Sequence, residues 1–103
     1  MNHSDMINLE TILEVACSVT RCSTRQAKGQ DRQLKCMFAR FIFFALATEK
    51  GTRDYVAVWH LRRNRSMAFY YKKRVEDLSL FDKEFNVLLS KARDKYARIC
   101  KSV

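Results

Sequence analysis

A chain of 103 residues with two glycines and no proline has few ways to reverse direction sharply. Sandwiches and barrels turn every ~8–12 residues and draw on both residue types to do so. The scarcity predicts an all-α fold, a compact bundle of about five to six helices. At this length one domain is expected over 1–103. Apolar and aromatic residues make up 48% of the chain, enough for one core. The longest apolar run, Phe41 to Ala47, falls well short of the ~20 residues of a spanning helix, so no membrane partner is expected. Met1-Asn2-His3-Ser4-Asp5 lacks the basic and long apolar regions of a signal peptide. A cytoplasmic location is the resulting expectation.

Apolar spacing locates the helices. Met6, Leu9, Ile12, Leu13, Ala16 and Val19 form a first stripe, with Ser4 or Asp5 as cap. Ser23-Thr24 starts a short turn of helix that Gly29 closes. From Gln30 to Thr48 the stripe Leu34, Met37, Phe38, Phe41, Ile42, Ala45 predicts a long central helix with Arg32, Lys35 and Arg40 outside it. Gly51 suits the position just past that helix. Thr52 can cap a short helix to His60, whose apolar contacts come from Val56, Val58, Trp59 and Leu61. Asn64 caps a basic helix running to about Asp77, with Ala68, Tyr71 and Val75 facing the core. Phe69 is assigned to the core with Tyr71, and Tyr70 to the surface. Ser79-Leu80-Phe81-Asp82 reads as a capping box for a last helix with Phe81, Phe85, Leu88, Leu89, Ala92 and Tyr96 on one face. The tail from Ile99 is expected to fray.

The net charge of +9 is uneven. Residues 1–19 hold three acids and no Lys or Arg, giving −3; residues 20–74 hold fourteen basic and three acidic residues, giving +11; residues 75–103 hold six and five, giving +1. Solubility alone would scatter such charge, whereas a polyanionic partner concentrates it. The peak is Arg62 to Arg74, with six positive charges and no negative one in thirteen residues. A basic helix start after another short helix is the layout of a helix-turn-helix reading the major groove of double-stranded DNA. In that layout Arg65 and Ser66, with Met67 and Phe69 as further candidates, lie at base edges, where Arg pairs with guanine, Ser serves several bases and Met touches a thymine methyl. Arg62, Arg63, Lys72 and Lys73 suit phosphates. Discharging about 6 to 8 phosphates would give a log K against log salt slope of roughly −5 to −7.

At these residues the chain resembles the C-terminal DNA-binding domain of the bacterial replication initiator DnaA, a helical domain related to Trp repressor. The family signature near Arg-Asp-His-Ser/Thr-Thr-Val is matched by Arg63-Asn64-Arg65-Ser66-Met67-Ala68. Its Lys-Ile-Glu-x-Leu ending is matched by Arg74-Val75-Glu76-Asp77-Leu78. Its central Ala-Arg-Gln, apolar run and Ala-x-Glu are matched by Ala39-Arg40-Phe41 through Ala47-Thr48-Glu49, with Arg32 eight positions before Arg40. The resemblance implies that Arg32 enters the minor groove, that Arg40 contacts the DNA backbone, and that Asn64, Arg65, Ser66 and Met67 read the major groove. It further implies a role in replication initiation or its regulation, or in transcriptional control, with other replication proteins as candidate partners. Only Ser66 keeps the family's base-reading chemistry unchanged, and the family's turn glycines are replaced by Leu61 and Arg62. Leu and Arg resist the positive φ that Gly accepts, so a reshaped turn is expected. No Gly-rich phosphate loop is present, so the expectation is a free-standing DNA-binding domain without ATPase activity.

Other chemistries find little support. Cys17, Cys22, Cys36 and Cys100 form no CxxC pair and are read as reduced, small apolar residues. No Ser/His/Asp, Cys/His or paired-carboxylate pattern is visible, so neither an enzyme nor a cofactor is expected. The alternative function is a protein-interaction module, an adaptor or antagonist of the initiator, using an exposed aromatic face drawn from Phe38, Phe41, Phe43 and Phe44. A homodimer is compatible with the chain, though no heptad repeat predicts one.

Overall fold

A computed structural model describes residues 8–101. Among them the chain forms six helices: α1 (Leu9–Thr20), α2 (Thr24–Lys28), α3 (Leu34–Glu49), α4 (Asp54–His60), α5 (Ala68–Phe81) and α6 (Lys83–Lys101), with a 3-10 turn at Arg65–Met67. No strand occurs among the described residues, and the all-α bundle is the fold. Its radius of gyration, 12.8 Å, is what a compact chain of this length shows.

Helix α3 is the hub and touches each of the other five helices. That explains its composition. A helix wrapped on all sides needs apolar residues at nearly every position rather than in one stripe. Phe38, Phe41, Phe43 and Phe44 are all buried, so the aromatic cluster is core and offers no exposed face for a partner. Phe38 meets Phe85 of α6 edge-on at 5.6 Å, and Phe41 and Phe44 flank Tyr71 of α5 at 5.1 and 5.7 Å. The alanines Ala39, Ala45 and Ala47 allow neighbours to approach closely.

Local chemistry sets the boundaries. Asn8 caps α1, its Oδ1 accepting from the Thr11 N–H at 3.1 Å; Ser4, Asp5 and Met6, named above for this helix, lie outside the described residues. Ser23 and Gln26 form a reciprocal capping box on α2, and Gly29 ends it. Gly51, at φ +101°, follows α3 as expected. Thr52 does not cap α4: its N–H donates to Ala47 O at 3.0 Å, closing α3, and Arg53 takes the capping position without a side-chain bond. The capping-box reading of Ser79–Asp82 is corrected in part. α5 continues through Phe81, and Asp82 alone caps α6 by accepting from the Phe85 N–H at 2.9 Å. Phe81 leaves the α6 apolar face and is 84% exposed. α6 also runs through Ile99 to Lys101, past the expected fraying point.

The thiols fall where small apolar residues would. Cys17 and Cys36 are buried, Cys22 is half-buried and Cys100 is exposed. Burial pushes the Cys17 thiol up to about 12 and that of Cys36 up to about 11. No group of three or more His, Cys, Asp or Glu among the described residues could hold a metal. No described helix is long and apolar enough to cross a membrane.

Candidate nucleic-acid interface

Helix α4 ends in a tight turn that hands the chain to α5. Leu61 is fully buried and anchors the turn. Arg62 adopts φ +61°, so the left-handed step for which Gly is best suited is made here by an arginine. Leu61, the other residue named for this turn, keeps an ordinary φ of −81°. Two backbone bonds lock the turn: Arg62 N–H to Trp59 O at 2.8 Å and Arg63 N–H to Val58 O at 2.9 Å. Asn64 then caps the 3-10 turn, its Oδ1 facing the Ser66 N–H at 3.4 Å. The basic helix thus opens as a 3-10 turn before it becomes α.

The turn separates the arginines into two kinds. Arg62 and Arg65 are exposed, and no carboxylate lies within 4 Å of either among the described residues. The Arg65 guanidinium lies over the Tyr55 ring of α4, 4.8 Å from its centroid, which restricts where it points. Arg63 turns the other way. Its Nη1 donates to Lys28 O at 3.2 Å and Leu61 O at 2.9 Å, and its Nη2 to Gly29 O at 2.6 Å. Arg63 therefore ties the turn to the end of α2.

Arg40 goes further inward. It is only 6% exposed. Its Nε donates to Ala27 O at 2.8 Å, and its Nη2 reaches Gln26 O, Gly29 O and Asp31 O at 3.0, 3.2 and 2.6 Å. The last carbonyls of a helix have no partner within it, and α2 is too short to offer alternatives. Two guanidiniums supply the missing donors. The expected contact of Arg40 with the DNA backbone is corrected on this ground, since the side chain is buried and its Nε and Nη2 are spent on carbonyls of the bundle. The phosphate role of Arg63 is corrected too, since this half-buried side chain commits Nη1 and Nη2 to the carbonyls of Lys28, Leu61 and Gly29. Both charges act on Tyr71: burial pushes its hydroxyl up, and Arg63 and Arg40 oppose that shift.

The remaining residues distribute around three depressions. Trp59, His60, Arg62, Arg63, Asn64 and Arg65 line an open groove of about 800 Å³. Asn64, Arg65 and Ser66 share a second, of about 600 Å³, with Tyr55 and Phe69. Arg32 is exposed and faces Tyr70, Met67 and Arg63 across a notch of about 280 Å³. Met67 is half-buried against the core rather than presented outward, so its expected thymine contact is withdrawn. Lys72 and Lys73 are exposed one turn along α5 and line none of the three. Ser66, Phe69 and Lys73 recur at three- and four-residue spacing, which puts them on one outer face.

Beside this turn two apolar side chains contradict their sequence assignment, as Phe81 and the 60% exposed Leu34 do elsewhere. Trp59, assigned to pack the short helix, is 76% exposed, and Phe69, assigned to the core, is 77% exposed. The local signal was present in part. The buried residues of α4 are Ala57 and Val58, with Leu61 beyond, and Trp59 lies off that face. Comparison with known protein families, with curated proteins and with solved structures finds no match to this chain.

Proposed function

We propose that this chain binds double-stranded DNA through a helix-turn-helix formed by α4 and α5, as the resemblance to the DnaA C-terminal domain implies, in replication initiation, its regulation or transcriptional control. One observation carries the reading: Arg62 and Arg65 leave the α4–α5 turn toward solvent with no carboxylate partner among the described residues, beside Asn64 and Ser66 at the start of α5. In this reading α4 braces and the first turn of α5 meets base edges. Asn64, Arg65 and Ser66 meet base edges in the major groove, Arg32 enters the minor groove, and Arg62, Lys72 and Lys73 contact phosphates. The adaptor reading has lost the α3 phenylalanines it rested on, because they are buried.

Withdrawing Arg40 and Arg63 lowers the expected phosphate count to about 4–6 and the salt slope to about −3.5 to −5.5. The test is a titration of labelled duplex at several salt concentrations with wild type and Arg65→Ala. Binding with that slope, and a loss of base preference of about 1–3 kcal/mol in the variant, is the expected result. Flat anisotropy at low salt removes the proposal.

A further inference from the structure

Resting on that nucleic-acid reading, we infer that the groove beneath the α4–α5 turn takes unpaired DNA, with a base stacked on Trp59 and the adjoining phosphates on Arg62 and Arg65. In an intact duplex the base faces are stacked on one another, and a protein reaches only edges and phosphates. Contacts of that kind give a large exposed indole nothing to lie against. Trp59 is nonetheless 76% exposed at the end of α4, in the same groove as the two arginines that lack carboxylate partners among the described residues.

The groove has the parts that single-strand recognition uses, namely a flat ring for a base and cations for the backbone. The backbone at Trp59 and Arg62 is held together by the Arg62 N–H donating to the Trp59 carbonyl at 2.8 Å, so both side chains leave the same turn. His60, which also lines the groove, is anchored: its ring stacks on Phe43 at 5.5 Å, and its Nε2 lies 2.8 Å from Glu10 Oε1. Asn64 uses its Oδ1 on the Ser66 N–H and keeps its amide N–H groups for a base edge. Phe69, 77% exposed beside Arg65 and Ser66 in the neighbouring depression, offers a second ring. Charge complementarity selects a polyanion, and the ring face selects one with unstacked bases.

Trp59 is the chain's only tryptophan, so its fluorescence reports on the site directly. Three probes are titrated: a ten-residue oligothymidylate, an abasic strand with the same number of phosphates, and a blunt duplex. Wild type and Trp59→Ala are compared by anisotropy of labelled DNA, with circular dichroism to verify folding. Oligothymidylate is expected to quench Trp59 and to bind roughly 5- to 100-fold tighter than the abasic strand, with Trp59→Ala erasing the difference. Equal affinity of wild type for the two strands, or unchanged fluorescence on saturation, overturns the inference. The blunt duplex separates the two claims. Duplex binding that is indifferent to Trp59→Ala, with no strand preference, leaves the function above standing and removes this one. Strand binding without duplex binding supports this one and removes the other.

Discussion

Replacing Arg40 by Met removes the guanidinium and keeps an unbranched apolar stem in its place. Four carbonyls now accept from Arg40. Two retain another donor: Gln26 O has the Gly29 N–H at 3.2 Å, and Gly29 O has Arg63 Nη2 at 2.6 Å. Ala27 O and Asp31 O lose the donor they have. An orphaned buried acceptor costs about 1–3 kcal/mol; Ala27 O is of that kind and the part-buried Asp31 O adds less, so the variant should lose about 2–4 kcal/mol. That is a large share of the ~5–15 kcal/mol that holds a domain together. At ~4–8 °C per kcal/mol for a domain of this size, the melting temperature should fall by about 10–25 °C. Arg40→Lys should fall between variant and wild type, because one ammonium cannot span carbonyls arranged for a planar fork. Calorimetry gives the first number. DNA anisotropy, read at a temperature where both proteins are folded, gives the second. The affinity of the folded variant should equal that of wild type. An Arg40→Met protein that melts with wild type, or one that stays folded and loses DNA, refutes the assignment and restores Arg40 as a backbone contact.

Arg62→Gly should move stability and binding in opposite directions. Relief of the φ +61° step should raise stability by up to about 1 kcal/mol, after the entropy cost of Gly, while loss of one phosphate contact flattens the salt slope by about 0.9. A lower melting temperature counts against the turn geometry, and an unchanged slope against the phosphate role. Glu10 gives a pH signature. The Lys28 ammonium at 2.9 Å holds its carboxyl below the usual 4.5, burial opposes this, and His60 adds to the lowering. A depressed folded-state pKa stabilises above the unfolded-state value and loses that contribution as pH falls through the folded one. Glu10→Gln should therefore cost less than about 1 kcal/mol near pH 7, since the pair is partly exposed, and the gap in melting temperature should close below pH 4.5. A gap that widens in acid contradicts the pairing.

Much of the path from sequence to fold is local. Apolar spacing placed α1 and α6 because a stripe every three or four residues belongs to the helix that carries it, whereas the stripe read in α3 is only part of an apolar surface that runs all round it. Ser23, Gly29 and Gly51 marked ends through their own backbone preferences. Local reading failed where two elements compete for one segment: Ser79 to Phe81 extend α5 because α5 had not yet ended, leaving Asp82 as the only cap for α6.

The cationic segment shows the division most clearly. Its charge and its position at the start of α5 were legible in the sequence, since both are properties of consecutive residues. The direction of each arginine was not. Arg62 and Arg63 are neighbours, yet one points to solvent and the other is held by carbonyls 34 and 35 residues earlier in the chain. Arg40 turned inward on carbonyls 9 to 14 residues before it. A guanidinium follows unsatisfied acceptors, and where those stand is decided only when α2 is brought against α3 and the turn. Trp59 is the converse case: no apolar neighbour from another helix arrived to cover it, so a ring that the sequence alone assigned to packing stayed in water.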